Sequence, residues 1–205
     1  MQTITTKTDV YEFIELSDKA KEVALEAVRT DGWYPGEWWR EGVIEDFVAE
    51  LTPKGWLLDD TDVHFDVSYC QGSGASFDAN LDVYEYLKAN KMLTKFPIVA
   101  KWAKEGQVTG KTHTNSFANH YCHFNTRYFE LETDVYYEDL SAVQENKLNA
   151  EVEKLQAHIE DERDQLSRDL EKKAYKAYEW YFEDEVIQEH LEANEVQFTI
   201  DGKTY

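Results

Sequence analysis

The segment Gln71–Ser76 carries the first side chains with possible chemistry, because it combines two glycines, two serines and an amide. Consecutive backbone N–H groups in such a loop can cradle an anion, and glycine lets a ligand approach the main chain. Gln71, Ser73 and Ser76 are therefore candidate ligand-binding residues. The same composition also suits a wide hairpin whose hydroxyls bond their own backbone, since no lysine completes a Walker-type phosphate loop.

A second candidate group lies on the polar face of a predicted sheet. In the alternating strand 62–69, His64 and Asp66 point away from the core, and His123 and Arg127 occupy a later predicted strand. An acid, a base and a cation on one face are the ingredients of acid–base or phosphodiester chemistry. The alternative is an ordinary solvated sheet face. The full set is His64, Asp66, Ser68, Asp78, Asn80, Asp82, His113, His123, Asn125 and Arg127.

The histidines and cysteines do not have the spacing of a metal site. His120 and His123 are three residues apart, and in a strand they would point to opposite faces. Cys70 and Cys122 lie in separate segments without a CxxC motif, which favours two free thiols in a reducing cytosol. We therefore expect no metal and no cofactor, and we assign no catalytic residue.

Net charge limits the classes of partner. The 205 residues include 42 Asp and Glu against 21 Lys and Arg, which gives a net charge of −21. This excess repels phosphate backbones and anionic lipid headgroups, so direct binding of nucleic acid or of a membrane surface is not expected. A basic protein, or a protein that normally holds nucleic acid, is the expected partner.

A long acidic helix is predicted over residues 140–193. Between Glu130 and Glu195 there are 21 acidic and 7 basic residues. Carboxylates three or four residues apart on a helix lie about 5–6 Å from each other, a spacing comparable with that of phosphates along a nucleic acid. The candidate partner-binding acids are Glu160, Asp161, Glu162, Asp164, Asp169, Glu179, Glu183 and Asp184.

Two further features of this helix allow other interpretations. Lysines and arginines alternate with the acids, which is typical of a solvated helix with local ion pairs. A thin apolar stripe would also permit a coiled-coil homodimer. The stripe consists of Leu148, Val152, Leu155 and Ile159.

Hydrophobic periodicity predicts an α+β fold: a mostly antiparallel sheet of about four or five strands with helices on one face, plus the long acidic helix. We expect an α+β core over 1–135 and a helical arm with a short terminal strand over 136–205. The predicted helices are 19–30 after Ser17, 37–51, 84–104 interrupted at Pro97, and 140–193. The predicted strands are 62–69, 77–83, 107–114, 120–132 and 196–200.

Two groups of aromatic residues are too large for one helix stripe to hide. Most should pack in the core, and the exposed ones would serve as interface anchors. The groups are Trp33, Tyr34, Trp38 and Trp39, and Tyr175, Tyr178, Trp180, Tyr181 and Phe182.

Four segments resemble a family of uncharacterised proteins encoded by tailed phages and prophages. They are 11–21 (YEFIELSDKAK), 71–77 (QGSGASF), 119–123 (NHYCH) and 192–202 (EANEVQFTIDG). This chain has Ser73 where that family has an aspartate, so a role that needs a carboxylate at this position does not transfer. The resemblance implies a phage accessory protein and implies no activity.

Together these features predict a phage accessory protein that inhibits a host defence or nucleic-acid-handling protein through its acidic surface, in the bacterial cytoplasm. One alternative is a nucleotide or small-ligand binder, or a hydrolase, that uses the Gln71–Ser76 loop with His123. Another is a self-assembling structural phage protein. The absence of a signal-peptide pattern and of an apolar run of about 18–20 residues favours the cytoplasm.

Overall fold

The computed structural model describes residues 7–31, 34–115, 121–135 and 140–205. These residues form two compact units. The first unit comprises the described residues of Met1–Trp39 together with Lys176–Tyr205, and the second unit is Arg40–Tyr175. Helices and antiparallel strands combine in the fold, which confirms the predicted α+β class. The predicted boundary between residues 135 and 136 falls inside the second unit.

Two helices and a short antiparallel strand pair make up the first unit. Strand β1 (Tyr11–Glu12) pairs with strand β8 (Gln197–Phe198), and helix α1 (Asp18–Thr30) contacts helix α6 (Asp184–Ala193). As predicted, α1 begins after Ser17, whose hydroxyl accepts a hydrogen bond from the N–H of Ala20 at 3.4 Å. The buried core consists of Phe13, Leu16, Ala20, Ala24, Tyr34, Ile187, Leu191 and Phe198.

A four-stranded antiparallel sheet lies at the centre of the second unit. Its strand order is β2 (Trp56–Leu57), β5 (Asn80–Leu81), β6 (Val108–Thr114) and β7 (Arg127–Thr133). Strands β6 and β7 pair along their whole length, and side chains on one face of both are buried in alternation. The fully buried Trp56 packs edge-on against the rings of Phe77, Tyr86 and Phe129.

A separate hairpin joins strands β3 (Val63–Asp66) and β4 (Gly74–Phe77), with Val63 opposite Phe77. The predicted hairpin had strands 62–69 and 77–83, so its strand limits were wrong. Strand β3 ends at Asp66 because that carboxylate accepts hydrogen bonds from the N–H and hydroxyl of Ser68 and starts a turn. Strand β4 is buried on both faces, so it lacks the alternation that marks a strand in the sequence.

The remaining helices are α2 (Trp38–Leu51), α3 (Val83–Ala89), α4 (Pro97–Lys104) and α5 (Ala142–Trp180). The predicted interruption at Pro97 is confirmed, because this proline opens α4 at a position where its missing N–H costs nothing. The prediction of one continuous helix over 140–193 was wrong. The chain leaves the helix after Trp180 and is extended at Glu183, and α6 then buries Ile187 and Leu191.

The predicted strand 120–132 also needed correction. Strand β7 begins only at Arg127, and a short 3-10 helix, Phe124–Thr126, precedes it. The hydroxyl of Thr126 donates to the carbonyl of His123 at 2.7 Å, which closes this turn. His120 lies outside the described residues.

Helix α5 packs on the sheet through its apolar stripe. Leu148, Leu155 and Ile159 are each fully buried, as is Leu170 further along the helix. The stripe that could have formed a coiled-coil homodimer is therefore part of this chain's own core. No helix in the described part of the chain is long and apolar enough to cross a bilayer.

Candidate functional site

Asp78 is the centre of the polar cluster that the structure assembles. It follows β4, and its Oδ2 lies 3.0 Å from Nε2 of His64 on β3. Its other oxygen accepts a hydrogen bond from Nε of Arg127, the first residue of β7, at 2.8 Å. Two of the residues predicted for the polar face, His64 and Arg127, therefore meet on one carboxylate. The arrangement holds a base and a cation beside an acid.

The cluster borders a polar cavity of about 390 Å³. Asp78, Lys111 and His113 are among its lining residues, as is Thr114, whose hydroxyl lies 3.5 Å from Asp78 Oδ1. The ring of His113 stacks on Tyr128 of the paired strand, at 5.2 Å between centroids. The volume of this cavity lies within the range of small-ligand sites.

Opposing effects act on the pKa of Asp78. Burial of the carboxyl raises its pKa, but the hydrogen bonds and positive charges of His64 and Arg127 outweigh burial, and the pKa falls below its ordinary 3.8. The ionised form is therefore favoured by folding. Its contribution to stability is complete above the ordinary pKa and is lost as the pH falls through the lowered value.

Replacing Asp78 by asparagine should lower the free energy of unfolding by about 1–3 kcal/mol at neutral pH, because His64 and Arg127 lose a charged acceptor. The difference from the wild type should shrink as the pH falls below the lowered pKa. Urea unfolding at neutral and at acidic pH measures the loss of stability and its dependence on pH. The control Asp60→Asn, at an exposed position, should change stability by less than about 0.5 kcal/mol. If the difference in the free energy of unfolding between Asp78→Asn and the wild type stays constant with pH, the ionised carboxylate of Asp78 is not what stabilises the fold.

In the Gln71–Ser76 loop, the hydroxyl of Ser73 bonds the neighbouring backbone. Ser73 Oγ accepts the N–H of Cys70 at 3.0 Å, and the N–H of Ser73 donates to the Cys70 carbonyl, also at 3.0 Å. Gln71 is exposed. Ser76, which was expected to reach a ligand from this loop, lies within β4 and is completely buried. Its hydroxyl has no hydrogen-bond partner among the described residues.

His123 lies directly against this loop. A Cβ placed on Gly74 would come within 2.9 Å of the His123 Cα, so glycine is what allows this approach. The imidazole Nδ1 accepts the N–H of Asn125 at 3.3 Å. The structure thus brings together the loop and the histidine that the ligand-binding hypothesis pairs, although His123 precedes a 3-10 helix rather than lying in a strand.

The two cysteines differ in their surroundings. Cys70 is exposed, and hydrogen bonds from the hydroxyls of Ser68 and Ser73 and from the N–H of Gly72 lower the pKa of its thiol. Burial raises the pKa of the Cys122 thiol, and the nearby carboxylate of Asp66 raises it further. Because the thiolate is the reactive form, Cys70 is the more reactive of the two.

Iodoacetamide should therefore alkylate Cys70 severalfold faster than Cys122 at neutral pH. Replacing Ser68 and Ser73 by alanine should slow the Cys70 reaction, since those hydroxyls stabilise the thiolate. Peptide mass spectrometry of quenched samples gives the two rates, and Ser141→Ala, which lies on another segment, is the control. Equal rates at both cysteines would contradict this account.

The middle of α5 does not present the free acidic surface that the sequence suggested. Glu160 accepts the N–H of Phe129 on the edge strand β7 at 2.6 Å. Glu162 accepts a short hydrogen bond from the hydroxyl of Tyr86. Burial raises the pKa of that phenol, and this hydrogen bond raises it further. Three of the predicted partner-binding acids, Glu160, Glu162 and Asp164, thus have partners inside the second unit. Glu160 bonds α5 to the sheet and Glu162 bonds it to α3, whereas Asp164 pairs within α5.

Arg163 is the cation at the centre of these contacts. Its side chain is 2% exposed, and it pairs with Glu160 at 2.9 Å and with Asp164 through a shorter contact. Its Nη1 also donates to the carbonyl of Phe124 at 2.9 Å. Arg163 therefore fixes the turn that follows His123 against the helix.

Every acidic side chain in the described residues of the first unit is exposed. There are sixteen of them against six lysines and arginines among the same described residues, so the first unit has a strongly negative surface. They are Asp9, Glu12, Glu15, Asp18, Glu22, Glu26, Asp31, Glu37, Glu179, Glu183, Asp184, Glu185, Glu189, Glu192, Glu195 and Asp201.

On α6 these acids form a stripe. Glu185, Glu189 and Glu192 recur every three or four residues on the helix face opposite the buried Ile187 and Leu191. We call these three residues the α6 acidic stripe. A similar stripe on α1 consists of Asp18, Glu22 and Glu26, opposite Ala20 and Ala24. Both stripes place successive Cβ atoms about 5–6 Å apart.

Two exposed tryptophan rings contact Tyr181, which lies four residues before the α6 acidic stripe in the chain. Trp38 is 54% exposed and Trp180 is 48% exposed. Both contact Tyr181, with ring centroids 4.7 and 4.8 Å away respectively. We call Trp38, Trp180 and Tyr181 the aromatic cluster. Of the expected interface anchors, these rings are accessible, whereas Tyr34 and Trp39 are buried and Trp33 lies outside the described residues.

A family model described as "Domain of unknown function (DUF8835)" matches residues 38–186. The chain belongs to this family. The matched region contains the whole second unit, the aromatic cluster and the beginning of α6. No curated protein and no solved structure is significantly similar to the chain.

Sequence reasoning missed part of the acidic surface of this DUF8835 protein. It named Glu179, Glu183 and Asp184, which are exposed, but not the α6 acidic stripe that follows them. It also overlooked the stripe on α1. The signal was present in both cases, because acids at intervals of three or four residues oppose small or apolar residues on the same helix.

The other predicted acids of the DUF8835 chain have different surroundings. Asp161 is exposed. Asp169 pairs with Lys172 at 3.0 Å. The hydrogen bond from Gln165 and this pairing with Lys172 lower the pKa of Asp169. Asp184 pairs with Arg29 of α1. The described residues contain no group of three or more His, Cys, Asp or Glu side chains placed to hold a metal ion.

Proposed function

We propose that this chain is a phage-encoded accessory protein that binds and inhibits a basic host protein through the acidic surface of its first unit. The target would be a defence or nucleic-acid-handling protein in the host cytoplasm. The complete exposure of the first unit's acidic side chains is the observation that carries this proposal. The resemblance to phage and prophage proteins adds the biological setting.

Solvent exposure of so many carboxylates has a physical cost, because like charges repel each other within the folded unit. In the second unit, acids such as Glu160 and Glu162 contribute hydrogen bonds to the fold. Among the described residues, the acids of the α6 acidic stripe make no such contact across elements, and Glu192 alone has a partner, the amide of Gln188 on the same helix. A binding function accounts for their accumulation, since a basic partner would relieve the repulsion.

The spacing of the stripe supports nucleic-acid mimicry. Its Cβ atoms lie about 5–6 Å apart along the helix, so a groove that accepts successive backbone phosphates can accept the carboxylates that extend from them. The exposed rings of Trp38 and Trp180 offer the large, rigid contact area that is typical of interface anchors. Charge would guide the encounter, and the rings would add contact area in the complex.

An affinity capture from bacterial lysate across a salt series tests this proposal. We expect a stoichiometric host protein that raised salt releases, because screening weakens exposed charge pairs. Added DNA should compete for the same host protein if the acidic surface replaces nucleic acid. Capture of a protein that neither salt nor DNA releases would contradict electrostatic inhibition.

A second candidate function is the binding of a nucleotide or another small anionic ligand in the second unit, or its hydrolysis. Two observations favour it: His123 packs closely on Gly74 at the start of β4, and Asp78, which follows β4, bonds both His64 and Arg127. Mass spectrometry of small molecules released from the purified chain tests it. A nucleotide that disappears in Ser73→Ala and His123→Ala would favour this function over protein binding.

Self-assembly as a structural phage protein is a weaker proposal. It relied on a homodimer through the stripe of α5, and Leu148, Leu155 and Ile159 of that stripe are buried in the second unit. A large homo-oligomer without a host partner in the capture experiment would support self-assembly.

A further inference from the structure

The aromatic cluster offers two indole rings that carry no cation of their own. Trp38 and Trp180 are each about half exposed. Among the described residues, no lysine or arginine lies over either ring. Elsewhere the chain does place cations on its aromatic rings: Lys101 lies 4.3 Å from the Trp102 centroid, and Arg168 lies 4.3 Å from that of Phe124.

Neighbouring contacts hold the two rings in place. Tyr181 packs edge-on against Trp38 at an interplanar angle of 78° and against Trp180 at 72°. Its carbonyl accepts a hydrogen bond from the hydroxyl of the buried Tyr34 at 3.0 Å. Because the rings are ordered before any partner arrives, little side-chain entropy is lost on binding.

Negative charge follows the cluster directly along the chain. The N–H of Glu183 donates to the carbonyl of Trp180 at 3.2 Å, and the α6 acidic stripe begins two residues later at Glu185. Indole faces with carboxylates close by in the chain suit one kind of side chain: a flat cation that stacks on a ring and donates hydrogen bonds at its edge.

We infer that the aromatic cluster receives arginine side chains of the basic partner, so the partner segment is rich in arginine rather than lysine. This inference rests on the proposed function and specifies its partner class. The guanidinium is planar and weakly hydrated, so it stacks on indole while its fork binds a carboxylate. The lysine ammonium is a compact, strongly hydrated charge that gains less from the ring.

Two peptides of equal length and charge, one with arginine and one with lysine at every basic position, test the inference on the full chain. At physiological ionic strength we expect the arginine peptide to bind about 10-fold more tightly, from two cation–π contacts. The double variant W38L/W180L should lose this preference and keep its affinity for the lysine peptide. Tyr205→Leu, which removes another exposed ring of the first unit, should keep the preference.

The outcomes separate the inference from the proposed function. Equal affinities for the two peptides, weakened alike by charge reversal on the α6 acidic stripe, would overturn the arginine inference and leave the acidic partner surface in place. An arginine preference that survives in W38L/W180L would also overturn it. Failure of both peptides to bind would overturn the inference and the proposed function together.

Discussion

Replacing Arg163 by alanine is expected to lower the free energy of unfolding of the second unit by about 3–5 kcal/mol. The guanidinium is 2% exposed and contacts Glu160, Asp164 and the carbonyl of Phe124. Its removal leaves two partly buried carboxylates without a cation and the turn at Phe124 without its donor. Urea unfolding followed by tryptophan fluorescence measures the loss.

Two further variants define the origin of that loss. Lys172→Ala removes an exposed cation from the same helix and should cost less than about 0.5 kcal/mol. Arg163→Lys keeps the charge but lacks the fork that reaches three acceptors, so its stability should fall between those of the wild type and Arg163→Ala. If Arg163→Ala were as stable as Lys172→Ala, the contacts of Arg163 with Glu160, Asp164 and the Phe124 carbonyl would not stabilise the second unit.

The second large effect is expected from Gly202→Ala in the first unit. Gly202 has φ of +84°, and a Cβ there would overlap the carbonyl oxygen of Ala20 in α1. A left-handed residue other than glycine costs about 1–2 kcal/mol, and overpacking adds about 1–3 kcal/mol. We expect a total loss of about 2–5 kcal/mol in the free energy of unfolding, because the backbone of α1 cannot move aside cheaply.

Gly106→Ala is the matched control for this prediction. Gly106 also has positive φ, +75°, but a Cβ there would meet no atom within 4 Å. It should therefore show only the conformational cost of about 1 kcal/mol. The difference between the two variants measures the close approach of the C-terminal turn to α1, and equal losses would show that this approach contributes nothing.

The elements that could be predicted from sequence are those with a local signal. Helix α1 has an N-cap at Ser17, and Pro97 marks the start of α4. Strand β6 shows the alternation of a half-buried strand. For β4, which is buried on both faces, alternation carries no information, so its limits depended on the tertiary structure.

The candidate sites were predictable to different degrees. Residue types alone suggested that His64 and Arg127 could share a face, but their meeting point on Asp78 depends on a strand arrangement that no local pattern reveals. For α5, the sequence shows that acids are numerous but not which of them are bonded within the chain. Composition cannot show that Glu160 and Glu162 bond the chain's own sheet and core. Whether a carboxylate is exposed or engaged depends on tertiary contacts.

Two charge-reversal variants test the central claim that the acidic surface of the first unit binds a host protein. The first, E185K/E189K/E192K, reverses the α6 acidic stripe. The second, E41K/E45K/D46K, makes the same change in net charge at exposed positions of α2 in the second unit. Retention of the captured host protein at physiological salt is the measurement. We predict that the first variant loses it and the second retains it, and equal retention by both would contradict the claim.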